Sequence, residues 1–301
     1  MKLTGLHLLL SYLCNIECDH CFVWGSPWQE GTMTLFDIRH ILQQAKNLET
    51  IEWIYFEGGE PFLYYATLLK GVQESVKLGF KVGVVSDVYW ATSVDDAKEY
   101  LKPLAGLIND FSVSSDLYHY NDKISQQVKS ATQAANQLEI PLGMISIAQT
   151  ESEEAGTAVG QLPYGETRVM YRGRAVEKLV PKAKKYPWKQ FTECTYEDLR
   201  NPERVHIDPL GNIHICQGIS IGNLFEDSLI HICERYDPDT HPITAPLLKG
   251  GPVELVNHYK LSCEQNYADA CHLCYDARKA LRKLFPKILA PDQMYGIFNK
   301  Q

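Results

Sequence analysis

The chain has 301 residues, of which 45% are apolar and 22% are charged, and its formal net charge is 29 − 37 = −8 at pH 7. This composition excludes collagen-like and intrinsically disordered proteins, and the acidic balance argues against nucleic-acid binding, which would need a basic face. Nine cysteines cannot all pair in intramolecular disulfides, so metal or redox chemistry in a reducing compartment is the better interpretation.

The N-terminal segment, residues 1–13, is apolar but lacks the pattern of a signal peptide. It carries an early lysine, a histidine at position 7, and Leu13 where a cleavage site needs a small residue. We therefore interpret it as a buried strand. No apolar run reaches the ~18–20 residues that a membrane helix needs. We expect a cytoplasmic protein with neither a membrane nor a nucleic acid among its partners.

Strand and helix signals alternate from residue 3 to about residue 175. The predicted strands are Leu3–Leu10, Ile51–Phe56, Phe80–Ser86, Asn109–Ser114, Ile140–Ala148 and Thr167–Tyr171. The predicted helices are one capped by Thr34 and Asp37, Leu63–Lys77, one capped by Ser93 and Asp96, and Asp122–Leu138. This alternation predicts parallel βαβ units in an open sheet or a partial barrel, with the active site at the C-terminal ends of the strands.

The pattern changes after residue 175. Lys178–Lys189 is rich in lysine and proline, which indicates a linker. The segments Val205–Asp208 and Asn212–Cys216 flank a Pro-Leu-Gly turn and predict a hairpin. Three further helices are predicted: Glu226–Glu234, Pro252–Tyr259 and Cys271–Leu284. We therefore predict an α/β domain over residues 1–180 and a small α+β domain over residues 181–301.

Three cysteines lie close together near the N-terminus. Cys14, Cys18 and Cys21 form a C-x3-C-x2-C motif on a loop after the first strand. Three thiolates can hold three irons of a 4Fe–4S cluster and leave the fourth iron open, as a catalytic metal site requires. Zinc is the alternative metal, but it would need a fourth ligand, and His20 is poorly placed to supply it.

The segment from Cys14 to Phe22 resembles the cluster loop of the radical S-adenosylmethionine (radical SAM) enzymes. A second match is Gly58-Gly59-Glu60-Pro61, which resembles the family's Gly-Gly-Glu-Pro segment at the end of the second strand. The resemblance implies a partial (βα)6 barrel and a 4Fe–4S cluster whose open iron binds S-adenosylmethionine. It further implies that backbone next to Phe22 contacts the adenine, and that the Gly-Gly-Glu-Pro segment meets the methionine amine.

The resemblance also suggests further cofactor contacts. Ser86 and Ser115 end the third and fourth strands, where the family often has polar residues against the cofactor, although helix capping is an equal alternative. The family's usual Asn-Gly after the third strand is replaced by Asp87-Val88. Arg174, in a Gly-Arg-Ala segment, could pair with the cofactor carboxylate or an acidic substrate group; the alternative is the start of a surface linker.

The C-terminal cysteines resemble the auxiliary-cluster extensions called SPASM and twitch domains. Cys216 ends a Gly-x4-Cys hairpin, and Cys271 and Cys274 form a Cys-x2-Cys pair. The shorter twitch arrangement with one cluster fits better, so Cys194 and these three are assigned as ligands of a second 4Fe–4S cluster. A zinc site of the same four cysteines is the structural alternative. Cys233 lies in an amphipathic stretch and is predicted to be core.

Three residues are candidates for the substrate chemistry. Tyr118 and His119, next to Asp116 at the end of the fourth strand, are placed where acid–base groups would be useful. Cys263 could donate a hydrogen atom, replace Cys194 as a cluster ligand, or be buried without a function.

The resemblance implies an oxidoreductase or maturase that cleaves S-adenosylmethionine to a 5′-deoxyadenosyl radical, which abstracts hydrogen from the substrate. We expect oxidative modification of a ribosomally synthesised peptide by cross-linking, epimerisation or dehydrogenation. The alternative is dehydrogenation or rearrangement of a small molecule, such as a sugar or an alcohol. A remote alternative is a non-catalytic iron–sulfur or zinc protein for electron transfer. The expected electron donor is of the flavodoxin or ferredoxin type.

Overall fold

A computed structural model describes residues 1–121, 125–150 and 166–298. The strands are β1 (Gly5–Ser11), β2 (Trp53–Gly58), β3 (Lys81–Ser86), β4 (Asp110–Ser114), β5 (Leu142–Ile147), β6 (Glu166–Thr167), β7 (Tyr186–Pro187), β8 (Arg204–Ile207), β9 (Asn212–Cys216), β10 (Ile219–Asn223) and β11 (Asn266–Tyr267). The α-helices are α1 (Leu35–Leu48), α2 (Tyr65–Lys77), α3 (Val94–Leu101), α4 (Gln126–Gln137), α5 (Ala175–Lys178), α6 (Leu229–Arg235), α7 (Thr244–Tyr259) and α8 (Ala270–Leu281).

One large sheet organises the part of the chain that the structure describes. It contains nine strands in the order β10-β9-β8-β1-β2-β3-β4-β5-β6. The strands from β8 across to β6 are parallel to their neighbours, and β9 and β10 continue the sheet in antiparallel fashion. The predicted α/β fold with six parallel strands and a later hairpin is therefore confirmed. The hairpin extends the large sheet beside β1.

The two faces of the sheet have different surroundings. A Cβ atom on Gly71 of α2 would lie 2.9 Å from the Phe56 ring of β2, so α2 packs closely on the face that carries Phe56. Because side chains alternate along a strand, Tyr55 and Glu57 lie on the other face. There the Tyr55 ring covers Gly83 of β3, where a Cβ atom would lie 2.2 Å from the ring. We call this second face the inner face of the sheet.

Local sequence signals determine where the first helices begin. The Thr34 hydroxyl accepts from the backbone N–H of Asp37, and the Asp37 carboxylate accepts from the N–H of Thr34, which confirms the predicted capping box of α1. The Ser93 hydroxyl accepts from the N–H of Asp96 at 3.1 Å and caps α3 as predicted. Each fully buried leucine or isoleucine on these helices stabilises the fold by ~1.5–3 kcal/mol.

The predicted sixth strand is wrong beyond its first residue. β6 ends at Thr167, because the backbone N–H of Tyr171 donates to the Asp269 carboxylate at the start of α8, at 3.2 Å, and not to a neighbouring strand. The predicted linker likewise contains β7, which pairs with β11.

A kink at Gly250 and Gly251 divides α7 into two helical segments, and the second segment agrees with the predicted helix Pro252–Tyr259. The helix predicted from residue 122 begins at Gln126 after a Ser125 cap, and residues 122–124 lie outside the described residues. None of the described helices has both the length and the apolar character needed to cross a membrane.

Candidate functional site

The three N-terminal cysteines lie on the loop that leaves the C-terminal end of β1. Cys14 and Cys18 are buried and Cys21 is half-buried. The loop is closed by hydrogen bonds from the N–H of Cys14 to the Ser26 carbonyl at 3.1 Å and from the N–H of Gly25 to the Cys21 sulfur at 3.2 Å. Burial raises the pKa of Cys18, and the nearby Cys21 and Cys14 thiols raise it further. Buried thiolates at this point would therefore need a bound cation.

The two glycines that follow β2 pack on the start of this cysteine loop. A Cβ atom on Gly58, whose φ is +128°, would lie 2.6 Å from the Ser11 carbonyl oxygen, and one on Gly59 would lie 2.0 Å from that of Leu13. The N–H groups of Gly59 and Glu60 donate to the same two carbonyls at 2.7 and 3.0 Å. Glycine is therefore needed at both positions because the backbone of the cysteine loop passes too close for a side chain. The close contact ties the end of β2 to that loop.

Glu60 is fully buried, and its carboxylate reaches the end of β3. Its Oε1 accepts from the N–H of Phe62 and the hydroxyl of Ser86, both at 3.0 Å, and its Oε2 accepts from the N–H of Asp87 at 2.8 Å. Pro61 is buried and begins the turn after Glu60. Ser86 therefore orients Glu60 from the strand end where a cofactor contact was predicted.

Asp87 adds a second carboxyl group to the same buried place. Burial raises the pKa of Glu60, and the charge of Asp87 raises it further. Among the described residues, the Asp87 Oδ2 atom has no hydrogen-bond partner. Burial and then the charge of Asp87 also raise the pKa of Cys14, so the acid pair lies beside the cysteine loop. Two adjacent buried carboxyl groups are stable only with a shared proton or a bound cation, which an ammonium group would supply.

The loop after β4 brings another polar group to this edge of the sheet. The Asp116 Oδ1 atom accepts from the Nδ1 of His119 at 2.8 Å and from the N–H of Tyr118 at 2.9 Å, while the Nε2 of His20 lies 3.6 Å from Oδ2. Although burial raises the pKa of Asp116, the hydrogen bond from His119 and the nearby His20 ring hold it well below its usual range. A nitrogen of each histidine lies within 4.8 Å of the Cys18 sulfur.

Other predicted side chains have defined partners at this edge. The Tyr118 hydroxyl donates to the Ala148 carbonyl at 3.3 Å. Ser115 is buried, and its N–H donates to the Ile145 carbonyl at 2.7 Å. The rings of Tyr118 and His119 both contact the ring of His20, so the structure brings these two residues to the cysteine loop.

Arg174 lies against the back of the cysteine loop. Its Nη1 donates to the Cys18 carbonyl at 2.9 Å, its Nη2 to the Gly25 carbonyl at 2.6 Å, and its backbone N–H to the Cys21 carbonyl at 3.0 Å. Gly173, with φ +61°, allows this approach because a Cβ atom there would lie 2.6 Å from the Cys21 carbonyl oxygen. These hydrogen bonds tie Arg174 to the backbone of the cysteine loop, and its Nη2 also lies 3.7 Å from the Glu17 carboxylate. Its contact with a cofactor stays a prediction.

The four cysteines assigned to a second cluster also come together. Cys216 ends β9, Cys271 and Cys274 lie in the first turns of α8, and Cys194 lies on the loop between β7 and β8. The Asp269 side chain caps α8, and the i, i+3 spacing puts the two helical cysteines on one face. Burial and the neighbouring Cys216 and Cys274 thiols raise the pKa of Cys194 to about 12.

Two buried guanidinium groups flank this four-cysteine group. The Nη1 of Arg172 donates to the Cys216 sulfur at 3.3 Å and to the Glu197 carboxylate at 3.1 Å. Arg278 donates through Nε to the Cys274 carbonyl at 3.3 Å. Their positive charges offset the negative charge of thiolates in a buried place. Neither arginine was predicted from the sequence; for Arg172 the available signal was its position two residues before Arg174.

The two remaining cysteines lie elsewhere. Cys233 is buried in the core, as predicted, and burial raises its pKa to about 11. Cys263 lines a surface pocket with Val256 of α7 and Leu273 of α8. This position separates Cys263 from the cysteine loop, and the four-cysteine group contains Cys194 in its place. Neither the catalytic role nor the ligand role considered for Cys263 is supported by this placement.

Phe22 connects the cysteine loop to the inner face. Its ring meets the ring of His206 edge to face, with centroids 5.7 Å apart, and the Arg172 guanidinium group lies over it at 5.6 Å. One side of the Phe22 ring is therefore covered by a cation of the chain itself. The predicted contact of the neighbouring backbone with adenine stays a prediction.

Comparison with known proteins gives relatives for part of the chain and a fold match for most of it. No family model matches. The chain is 32% identical over 119 residues to the "Putative peptide biosynthesis protein YydG" of Bacillus subtilis (strain 168). The aligned region covers 39% of this chain and 37% of that protein. The chain is 33% identical over 103 residues to the tungsten-containing aldehyde ferredoxin oxidoreductase cofactor-modifying protein of Pyrococcus furiosus, covering 34% of this chain and 27% of that protein.

The chain thus spans well under half the length of these curated relatives. The solved structure of BtrN in complex with AdoMet and 2-DOIA matches with a TM-score of 0.54 at 15% identity, over 92% of this chain and 93% of that one. The cysteine motif, the sheet and these partial relatives all agree with the resemblance to the radical SAM enzymes. The recognition made from the sequence is confirmed at that level.

Proposed function

We propose that the chain is a radical SAM oxidoreductase or maturase. Cys14, Cys18 and Cys21 would hold a 4Fe–4S cluster, and S-adenosylmethionine would bind beside it. The observation that carries this proposal is the buried acid pair of Glu60 and Asp87, tied by Gly58 and Gly59 to the loop of three buried thiols. Three thiols that can bind a metal lie beside two carboxyl groups that can bind an ammonium group, as a 4Fe–4S cluster and S-adenosylmethionine together need.

The residues of the chain have distinct tasks in this proposal. When bound, the cluster and S-adenosylmethionine supply the 5′-deoxyadenosyl radical that abstracts hydrogen from the substrate. Glu60 and the unpartnered Oδ2 of Asp87 accept hydrogen bonds from the ammonium group. Arg174 holds the cysteine loop in shape through two backbone carbonyls. Asp116 fixes the tautomer and orientation of His119, which can then hold or move a proton at its Nε2.

A second 4Fe–4S cluster at Cys194, Cys216, Cys271 and Cys274 is part of the proposal. The four thiols act on one another electrostatically in a buried place, and the Arg172 hydrogen bond to Cys216 suits an electron-accepting cluster. We divide the chain functionally into residues 1–180, which hold the cofactor, and residues 181–301, which supply the second cluster. A donor of the flavodoxin or ferredoxin type would reduce the first cluster.

We propose a ribosomally synthesised peptide as the substrate. The relative from Bacillus subtilis, whose name gives a role in peptide biosynthesis, supports this choice. A small-molecule substrate is the second candidate, and the relative from Pyrococcus furiosus, named as a cofactor-modifying protein, favours it. Hydrogen–deuterium exchange of the reconstituted protein with candidate peptides and with small alcohols distinguishes the two.

Anaerobic reconstitution tests the proposed activity. The protein should bind about eight irons per chain, four for each cluster. With dithionite and S-adenosylmethionine it should release 5′-deoxyadenosine, and a Cys18→Ala variant should release none. A fully loaded protein that forms no 5′-deoxyadenosine would reject the enzyme and leave the electron-transfer alternative.

A further inference from the structure

A separate group of three side chains lies on the inner face of the sheet. His7 of β1 is in register with His206 of β8 on one side and with Tyr55 of β2 on the other, and Glu57 follows Tyr55 by two residues on the same face. Neighbouring strands lie about 4.8 Å apart, so the sheet places the three side chains next to each other. One ligand atom from each residue, two nitrogens and one oxygen, lies within 4.8 Å of the other two.

The contacts within this group do not have hydrogen-bond geometry. The Glu57 Oε1 atom lies 3.0 Å from the His206 Nε2 and 3.4 Å from the His7 Nδ1. Nevertheless, both the Glu57 Oε1 and the His7 Nδ1 are buried atoms without a hydrogen-bond partner among the described residues. Because these distances are short enough for hydrogen bonds, it is the angles at the nitrogen and oxygen atoms that do not meet the requirements of a hydrogen bond. The two nitrogen atoms and the oxygen atom therefore lie around a common space, but the nitrogen–oxygen contacts are not aligned as hydrogen bonds.

A transition-metal ion fits this shared space. Zinc binds histidine nitrogen and carboxylate oxygen at about 2.0–2.2 Å, and tetrahedral geometry then puts ligand atoms about 3.3 Å apart. The two nitrogen–oxygen distances of 3.0 and 3.4 Å agree with that spacing. Two histidines and one carboxylate form a ligand set that leaves coordination positions open.

The position of the group in the fold gives such an ion access to a ligand. The three side chains keep 15–17% of their surface exposed on the inner face. The Phe22 ring, which follows Cys21 in the chain, packs on His206 at 5.7 Å, so one aromatic ring separates this group from the cysteine loop. An open metal position here would lie on the same face of the sheet as the Phe22 ring.

We propose that His7, Glu57 and His206 bind one divalent transition-metal ion, such as Zn²⁺, on the inner face of the sheet. Its open position would hold an oxygen atom of the substrate, a carbonyl or carboxylate in a peptide, and so orient it. The orienting role rests on the proposed function, whereas metal binding itself does not.

Zinc alone is the probe for the test. The anaerobically reconstituted full chain is incubated with Zn²⁺, desalted and analysed for zinc and iron, and its zinc is examined by X-ray absorption. We expect about one zinc per chain with nitrogen and oxygen ligands near 2.0–2.1 Å and no sulfur near 2.3 Å. His7→Asn and His206→Asn should weaken zinc binding at least tenfold. The matched control His231→Asn, at an exposed histidine beside Asp227, should bind zinc as the parent does.

Three outcomes overturn the proposal: no zinc in the parent protein, zinc with sulfur ligands, or unchanged zinc in both histidine variants. Iron content checks that each variant has folded, because a folded variant keeps both clusters. If either histidine variant loses iron, the near-isosteric Glu57→Gln decides, and unchanged zinc there also rejects the site. Zinc binding without 5′-deoxyadenosine formation would reject the proposed enzyme and leave the metal site standing.

Discussion

The guanidinium group of Arg172 lies over the ring of Phe22, 5.6 Å from its centre, while its Nη1 donates to the Cys216 sulfur at 3.3 Å. Phe22 directly follows Cys21 in the cysteine loop. A single buried cation therefore contacts an aromatic ring next to the first cysteine group and a sulfur atom of the second.

Replacing Arg172 by Met should lower the reduction potential of the second cluster. The hydrogen bond and charge of Arg172 favour the more negative, reduced state, so their loss disfavours reduction by roughly 60–130 mV, equivalent to ~1.5–3 kcal/mol. A redox titration followed by EPR measures this shift. Arg235→Met is the control, because Arg235 is exposed, pairs with Asp227 at 2.9 Å and should leave the potential unchanged. An equal shift in both variants would contradict a specific effect at Cys216.

Glu60→Gln and Asp87→Asn should each weaken the binding of S-adenosylmethionine. Each removes one charged acceptor of the ammonium group, so Kd should rise about 10–100-fold, which corresponds to ~1.5–3 kcal/mol. Equilibrium dialysis of the reconstituted protein measures Kd, and iron content should stay at the parent value. Asp110→Asn is a matched control, since Asp110 lies on β4 and accepts from the Ser112 hydroxyl at 2.7 Å. Unchanged affinity in both test variants would remove the acid pair from the cofactor site.

Arg174→Met should impair assembly of the first cluster and spare the second. Without the guanidinium group, the buried carbonyls of Cys18 and Gly25 lose their donors, at a cost of about 1–3 kcal/mol each. Mössbauer spectroscopy should show roughly half the parent iron, all of it in a four-thiolate environment. If Arg174 bound the cofactor carboxylate instead, the variant would keep its full iron content and lose only affinity for S-adenosylmethionine.

Cys194→Ser and Cys263→Ser should differ in iron content. Cys194 belongs to the four-cysteine group, so its loss should remove most of the second cluster's iron. Cys263 lies in the pocket between α7 and α8, and its loss should change neither iron content nor 5′-deoxyadenosine formation. The reverse pattern would exchange the roles of the two residues.

Asp208→Asn should destabilise the fold and alter its response to acid. The Asp208 Oδ2 atom accepts from the Tyr12 hydroxyl at 2.9 Å and lies 3.0 Å from the His214 Nε2. Although burial raises the pKa of Asp208, the hydrogen bond and charge of His214 bring it below its usual value. The carboxylate therefore stabilises the fold above the unfolded-state pKa of ~3.9, and this stabilisation is lost as pH falls through the folded-state pKa.

The variant should lower the free energy of unfolding at pH 7 by roughly 3 kcal/mol. It should also reduce the loss of stability that begins at about pH 5, where this carboxylate starts to bind a proton in the unfolded chain, and that continues down through the folded-state pKa. Urea unfolding followed by tryptophan fluorescence at several pH values measures both effects. A parallel downward shift at every pH would show that the carboxylate's ionisation contributes nothing.

Local signals made much of the fold predictable. The capping box at Thr34 and Asp37 acts within one helical turn, and the turn residues between β8 and β9 act within a few positions, so both could be read from the sequence. The cysteine loop was predictable for the same reason, since its three ligands lie within eight residues.

Features that depend on strand order were not predictable from periodicity. His7, Glu57 and His206 meet because β8 lies beside β1 and β2, and nothing in the spacing of these residues indicates that order. Asp87 was passed over because the expected Asn-Gly is absent there, although an acidic residue directly after a buried strand was visible. Arg172 was missed because its partner, Cys216, lies 44 positions away.

The register between β8 and β1 has a consequence for electron transfer. His7 is paired with His206 and Leu8 with Ile207 in one hydrogen-bonded ladder. In the same sheet, the loop that carries Cys14 follows β1, and Cys216 is the last residue of β9. A strand can slip only by whole residues, and a one-residue slip would turn every side chain to the opposite face. The distance that an electron would tunnel between the two proposed clusters is therefore set when the sheet forms. Substrate binding would change the difference between the reduction potentials of the clusters far more readily than this distance.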